Sequence, residues 1–342
     1  MDMNAIRQHA RERMKGCKVC PQCNGKACAG MIPGFGGIRT GRSFQRNLEA
    51  LGRYGLVMRS MTGREDMDTT VQIFGKTLAM PILVAPIGAI ALNTQLPGEP
   101  ADIELAYTEA VMEGAKNAGT LAFTGDGGAP YMYDAGLTSC RNWPGTGIPT
   151  IKPRDDEAIM ERAKQANDAG AVAVASDIDA ATLINMRLLG QPVGPKSAAS
   201  IARIAASIAL PFIVKGIMSV EEALACVDAG ASGIVVTNHG GRVLDGMAGT
   251  ADVLPAIAQA VKGKIPIFVD GGVRSGEDVL KFLALGADAV LVGRPVAIAA
   301  IGGGAAGVTL YLQTLLQELR DAMMITGTTD VKQVKSQILQ RL

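Results

Sequence analysis

The 342-residue chain reads as an α/β protein of the TIM (β/α)8 barrel class, with a Cys-rich N-terminal segment and C-terminal helices. Three observations predict this. From Pro81 onward, eight short apolar runs alternate with amphipathic stretches, as parallel strands buried on both faces do. Three of the stretches end in related phrases, Ala169-Gly-Ala-Val172, Ala229-Gly-Ala-Ser232 and Leu285-Gly-Ala-Asp288, with Gly where a helix stops and turns back into a strand. Hydrophobic residues make up 48% of the chain and Gly numbers 42, but aromatics are only 4%, which suits a core of small aliphatic side chains. An open doubly wound sheet is the rival. That fold usually has fewer strands and a Gly-rich fingerprint after the first, whereas here the strongest phosphate-type turn follows the seventh.

Residues 1–45 are expected to form a Cys-rich N-terminal cap, a helix followed by an irregular stretch with a Gly34-Phe-Gly-Gly37 turn. Residues 46–342 form the barrel. Its strands are placed at Pro81–Ala85, Thr120–Thr124, Ile148–Ile151, Ala171–Ala175, Pro211–Lys215, Gly233–Thr237, Pro266–Asp270 and Ala287–Val292. Helices are expected at Asp156–Ala169 and Val220–Ala229, among others. Val308–Met323, with leucines at 310, 312, 315, 316 and 319, reads as a barrel-closing helix. Thr329–Leu342 reads as one more amphipathic helix, capped by Thr329. A net charge of +1 with interleaved acids and bases calls for neither nucleic acid nor an anionic membrane. No apolar run in the sequence has the length to span a bilayer, and Met1–Arg13 lacks a signal-peptide core. A cytoplasmic location is expected.

The chemistry concentrates at strand ends. Thr237-Asn238-His239-Gly240-Gly241-Arg242 puts one of two histidines three residues before an arginine. An imidazole moves a proton near neutral pH, and a guanidinium fork holds a carboxylate by two parallel bonds. Strand-to-loop junctions are where barrel enzymes keep such groups. The seventh strand ends Asp270-Gly271-Gly272-Val273-Arg274 and the eighth ends Gly293-Arg294. Glycines there open backbone N–H groups to a phosphate, and the arginines add charge. Lys215, closing the fifth strand, points into the barrel mouth and needs a phosphate, a flavin edge or an acidic neighbour. Asp177 closes the fourth strand, with Asp179 two residues on; either can orient the histidine, and Asp179 can equally cap the next helix.

These residues resemble a family. VKGI, TNHGGR-x-LD and VDGGVRSGEDVLKFLALGADAVLVGRP, between Pro211 and Pro295, look like the FMN-dependent α-hydroxy-acid oxidases and dehydrogenases, such as glycolate and lactate oxidases. The likeness extends to Ala85-Pro86-Ile87-Gly88 and to Arg46-Asn47-Leu-Glu-Ala-Leu51. Type 2 isopentenyl diphosphate isomerase and glutamate synthase share the phosphate loops but not the histidine phrase. The resemblance implies that FMN is the cofactor and a small-molecule 2-hydroxy acid the substrate, oxidised to the 2-oxo acid. Oxygen or a redox protein would be the acceptor, and a homotetramer or homo-octamer the assembly. It implies that His239 is the base, Arg242 the carboxylate clamp, Asp177 the partner of protonated His239, and Lys215 the neighbour of the flavin N1/O2 edge. Pro86, Ile87, Gly88 and Thr237 would meet the isoalloxazine, and Asp270 the ribityl chain. Gly271, Gly272, Arg274, Gly293 and Arg294 would seat the phosphate.

Departures from the family narrow this. Ile151 stands where a tyrosine normally meets the substrate, no tyrosine precedes Tyr54, and roughly thirty residues separate Asp177 from Pro211, a short lid. Lys152 and Arg187 are candidate substitutes in carboxylate recognition. The alternatives are therefore an FMN barrel running a different redox or flavin-assisted isomerase-type reaction, or a metal- or redox-sensing flavin module. Cys17-x2-Cys20-x2-Cys23-x4-Cys28 has the close spacing of a metal site, and an iron–sulfur cluster, structural zinc and free redox thiols all remain open. His9 reads as a solvated helix residue. Tyr131, Tyr133 and Asp134 read as loop packing ahead of pocket lining.

Overall fold

The computed structural model describes residues 2–342. Eight parallel strands close into a barrel: β1 (Ile82–Val84), β2 (Ala122–Thr124), β3 (Gly147–Ile151), β4 (Val174–Asp177), β5 (Phe212–Ile217), β6 (Gly233–Val236), β7 (Ile267–Val269) and β8 (Ala289–Val292), with β8 paired to β1. Nearly every strand residue is buried, so the apolar runs read from the sequence are two-faced barrel strands. Side-chain caps start several of the helices between them. Asp155 accepts from Ala158 N–H at 2.7 Å, and Ser219 and Ser275 do the same for Val220–Asp228 and Gly276–Ala284. The three repeated phrases end their helices on Gly170, Gly230 and Gly286, all at positive φ. That is the left-handed stop a residue with a Cβ adopts at a cost.

A hairpin, Val71–Ile73 with Lys76–Leu78, covers one end of the barrel. Phe74 at its turn reaches Phe268 of β7, with ring centroids 6.1 Å apart. At the N-terminus, the helix Met3–Arg13 packs on the long helix Arg294–Thr326, and Ile6, Ala10, Met14, Val19 and Phe35 join the barrel's own hydrophobic core.

Two expectations change. Thr329–Leu342 is not a helix: it makes two short 3-10 turns and a strand, Leu339–Arg341, that pairs antiparallel with Tyr54–Leu56. Asp330, not Thr329, caps the first turn, accepting from Lys332 N–H. Val331 and Ile338 are buried and Val334 partly so, a spacing that mimics a helix, but the free edge at Tyr54–Leu56 gives the backbone a better partner. Second, Arg294–Thr326 is a helix long and apolar enough, by length and composition, to cross a membrane. Its apolar face packs instead into the barrel core from Val296 to Leu319, and it breaks at Gly304 (φ 58). The expected closing segment Val308–Met323 is its second half.

Candidate active site

A pocket opens at the C-terminal ends of the strands, enclosing about 1060 Å³ of atom-free space with its mouth counted. That is room for a large ligand. The loops after β1, β6, β7 and β8 bring Pro86, Ile87, Gly88, His239, Arg242, Asp270, Gly271, Gly272, Arg274, Gly293 and Arg294 into one wall, with Lys152, Asp177 and Lys215 at the ends of β3, β4 and β5 facing them. Five cationic side chains line it against three carboxylates, those of Asp126, Asp177 and Asp270. The cavity is built for anions.

His239 sits in a left-handed turn, φ 56. Its N–H donates to Thr237 Oγ1 at 2.9 Å, and Gly241 N–H donates to Asn238 Oδ1 at 3.1 Å. The carboxamides of Asn238 and Asn47 exchange two hydrogen bonds of 2.9 Å, so the helix Arg42–Gly52 fixes the turn from behind. A side chain on Gly241 would meet Phe44 backbone N at 2.3 Å. Glycine is required there by contact as well as by conformation.

Asp179 takes the ring's hydrogen bond, with His239 Nδ1 2.9 Å from Asp179 Oδ1, and a carboxylate oxygen of Asp177 stands within 4.8 Å of both groups. Asp177 instead takes Lys152 Nζ at 2.5 Å. The cause lies in β5, whose register shifts between Lys215 and Ile217. At Gly216 (φ 113) a Cβ would come within 2.7 Å of Asp179 Cβ, so the bare glycine admits this aspartate to the imidazole. The 3-10 turn Ile178–Thr182 carries Asp179 there. We assign Nδ1–H as the donor to Asp179, which leaves the Nε2 lone pair for a substrate.

Burial holds the His239 imidazole well below its ordinary value, and the charges of Lys215 and Lys152 add to that. The ring is neutral at neutral pH. Burial pushes the Asp179 carboxyl up, against the opposing charges of Lys215 and Lys152. Burial acts to lower Lys215, but Asp179, Asp270 and Asp177 together raise it above its ordinary value, so it stays charged. Asp270 is raised by burial and held by Lys215 and by Thr237, whose hydroxyl donates to it at 2.5 Å. Thr237 thus supports the wall from behind and is not itself part of the pocket lining.

Three arginines lack carboxylate partners and bond to neutral oxygens. Arg242 donates to the Gly34 carbonyl and, at 3.2 Å, to Asn93 Oδ1; burial, then the charge of Arg294, lowers it to about 9. Arg294 donates to Phe35 O at 2.7 Å and Gly240 O at 2.9 Å, its guanidinium 3.9 Å from the Phe44 ring centroid. Arg274 donates to Cys23 O at 3.0 and 2.8 Å. A half-buried guanidinium satisfied only by neutral oxygens is poised for an anion. Gly271 and Gly272, at φ 103 and 95, bend β7's exit around Asn47 and open backbone N–H groups beside them.

Other sequence candidates fall elsewhere. Ile151 is buried in β3 outside the pocket lining, while the next residue, Lys152, lines it. Arg187 is exposed on the short helix Ile184–Leu188, whose neighbours Leu183, Asn185, Met186 and Leu189 make the outer wall. Tyr133 donates to Arg162 O at 2.8 Å beneath that guanidinium, and none of Tyr131, Tyr133 and Asp134 lines the pocket. His9 is exposed on its helix. Asn93 and Asn185, pocket-lining carboxamides 3.4 Å apart, carried no sequence signal, because an asparagine marks a site only through its partners. Cys17, Cys20, Cys23 and Cys28 are unbridged and line a separate small chamber.

Comparison with known proteins gives the family. The family model for FMN-dependent dehydrogenases matches residues 35–189 and 190–341. The chain is 32% identical to 4-hydroxymandelate oxidase of Amycolatopsis orientalis over 357 residues, 90% of this chain and 94% of that one. It is 32% identical to L-lactate dehydrogenase of Xanthomonas campestris pv. campestris over 361 residues, 90% and 91% of the two chains. Among solved structures, mandelate oxidase with (S)-2-phenylpropionate superposes with a TM-score of 0.79 at 31% identity, covering 98% of this chain and 97% of that one. With this coverage and these strand-end residues, the chain belongs to the FMN-dependent dehydrogenase family, an oxidoreductase with a flavin cofactor.

Proposed function

We propose that this enzyme oxidises a 2-hydroxy acid with an apolar side chain to the 2-oxo acid, His239 acting as base and Arg242 holding the carboxylate. The observation that carries the proposal is Arg242, a half-buried guanidinium with no acidic partner among the described residues, three residues from a neutral imidazole whose Nδ1 is anchored on Asp179. Leu183, Met186 and Leu189 in the outer wall favour an apolar substituent, and relatives are named for 4-hydroxymandelate and L-lactate.

The residues fit FMN. Arg274, Arg294, Gly271, Gly272 and Gly293 would take its phosphate, Asp270 the ribityl chain, Lys215 the N1/O2 edge, and Pro86 to Gly88 the ring. FMN, when bound, supplies the two-electron acceptor. The rest falls to the side chains. Arg242 orients the substrate by its carboxylate. Nε2 of His239 takes the proton from the hydroxyl-bearing carbon or its oxygen, and Asp179 steadies the imidazolium. Lys215 would supply positive charge beside the flavin's N1/O2 edge, and Leu183, Met186 and Leu189 give the outer wall an apolar face.

Anaerobic mixing of the yellow protein with 2-hydroxy acids tests this. Mandelate-like and lactate-like acids should bleach the flavin, and the 2-oxo acid should appear in equal amount. Bleaching by NADH or dithionite alone would replace the proposal with a reductive or isomerase-type reaction.

The two aspartates separate cleanly. Asp179→Asn should lower the bleaching rate at saturating substrate on the order of 100- to 10,000-fold, by losing the charge that fixes the tautomer. Asp177→Asn, which frees Lys152, should cost less. The reverse ranking would return the orienting role to Asp177.

A further inference from the structure

The four N-terminal cysteines take no part in the chemistry above, yet the fold gathers them. Cys17, Cys20, Cys23 and Cys28, all partly exposed, line one small chamber, with Phe35 and Ile298 as apolar walls and Arg294 at its edge. The chain wraps it by turning at Val19 (φ 44) and Gly25 (φ 76). A β-branched residue in the left-handed region is a genuine outlier, and strain of that kind collects at functional sites. The N–H of Val19 itself donates to Cys17 Sγ at 3.4 Å, a bond that strengthens if the sulfur is a thiolate.

We propose that Cys17, Cys20, Cys23 and Cys28 are the thiolate ligands of an iron–sulfur cluster of the 4Fe–4S type. Four sulfurs around one zinc ion are the rival arrangement, and the metal analysis below decides between them.

Cys17, Cys20 and Cys23 follow at steps of three, as the first three ligands of bacterial ferredoxin runs do, while Cys28 comes after four residues where those runs have three. Electrostatics agrees too. A cluster with four thiolates is anionic, and two half-buried guanidinium groups stand by it, Arg294 on the chamber wall and Arg274 bonded to the Cys23 carbonyl. Phe35 and Arg294 line both this chamber and the main pocket, so the two compartments share a wall.

The test is metal analysis of the full-length protein purified without oxygen. About four iron and about four acid-labile sulfide per chain are expected, with a low-temperature electron paramagnetic resonance signal after dithionite. Cys20→Ser combined with Cys23→Ser should lose the iron and the signal, while Cys140→Ser, at a buried cysteine within the barrel, should keep both. Zinc without iron overturns the proposal. So does protein that holds neither metal after incubation with ferrous iron and sulfide. Because the wild-type protein alone decides between these outcomes, a variant that fails to fold does not blur them, and iron without FMN would count against the flavin reading and not against this one.

Discussion

Replacing His239 with alanine is expected to slow reduction of bound FMN by substrate about 100- to 10,000-fold, the usual worth of a positioned base, while FMN stays bound. Stopped-flow bleaching reads the rate and the visible spectrum reads the cofactor. Unchanged bleaching would remove His239 from the mechanism. The pH profile carries a second, signed expectation. Because burial, Lys215 and Lys152 lower the imidazole, its base form persists as pH falls past the ordinary value of about 6.5, and kcat/KM should decline only at more acidic pH. A bound carboxylate offsets part of that positive charge, which raises the imidazole again. The acid limb of kcat should therefore lie at higher pH than that of kcat/KM. Coincident limbs would mean that the substrate's charge is not felt at the base.

Arg242→Ala is expected to lower kcat/KM by about 2–5 kcal/mol, roughly 30- to 5000-fold, the range for truncating one partner of a buried charge pair. The loss should be selective. A neutral 2-hydroxy amide or ester, which offers no charge to the guanidinium, should lose far less, so the preference for acid over amide should collapse. Arg242→Lys should recover little, since an ammonium cannot make two parallel bonds. An equal loss on acid and amide would mark Arg242 as a structural clamp on the Gly34 carbonyl and Asn93, with the carboxylate held elsewhere.

Much of this site was legible because it follows the chain locally. The eight strands showed as apolar runs, and the phosphate-side glycines and arginines sit within a few residues of β7 and β8, so motif and place coincide. His239 and Arg242 were readable for the same reason. The contacts that arrange them were not. Asp177 and Asp179 differ by one pleat of chain, and which one meets the imidazole depends on a register shift in the neighbouring strand and on the missing Cβ of Gly216. VKGI contains that signal, since a glycine inside a strand run marks close approach of another group, but not its direction. Arg187 and Lys152 were equal candidates in sequence; only the short helix Ile184–Leu188 turns the first outward. The C-terminal strand was hidden because its partner, Tyr54–Leu56, lies far away in sequence.

The left-handed turn at residue 239 has an energetic consequence. A side chain with a Cβ held at positive φ costs about 1–3 kcal/mol, and glycine would sit there more comfortably. In the role proposed for it, the imidazole is held in place at the expense of folding stability.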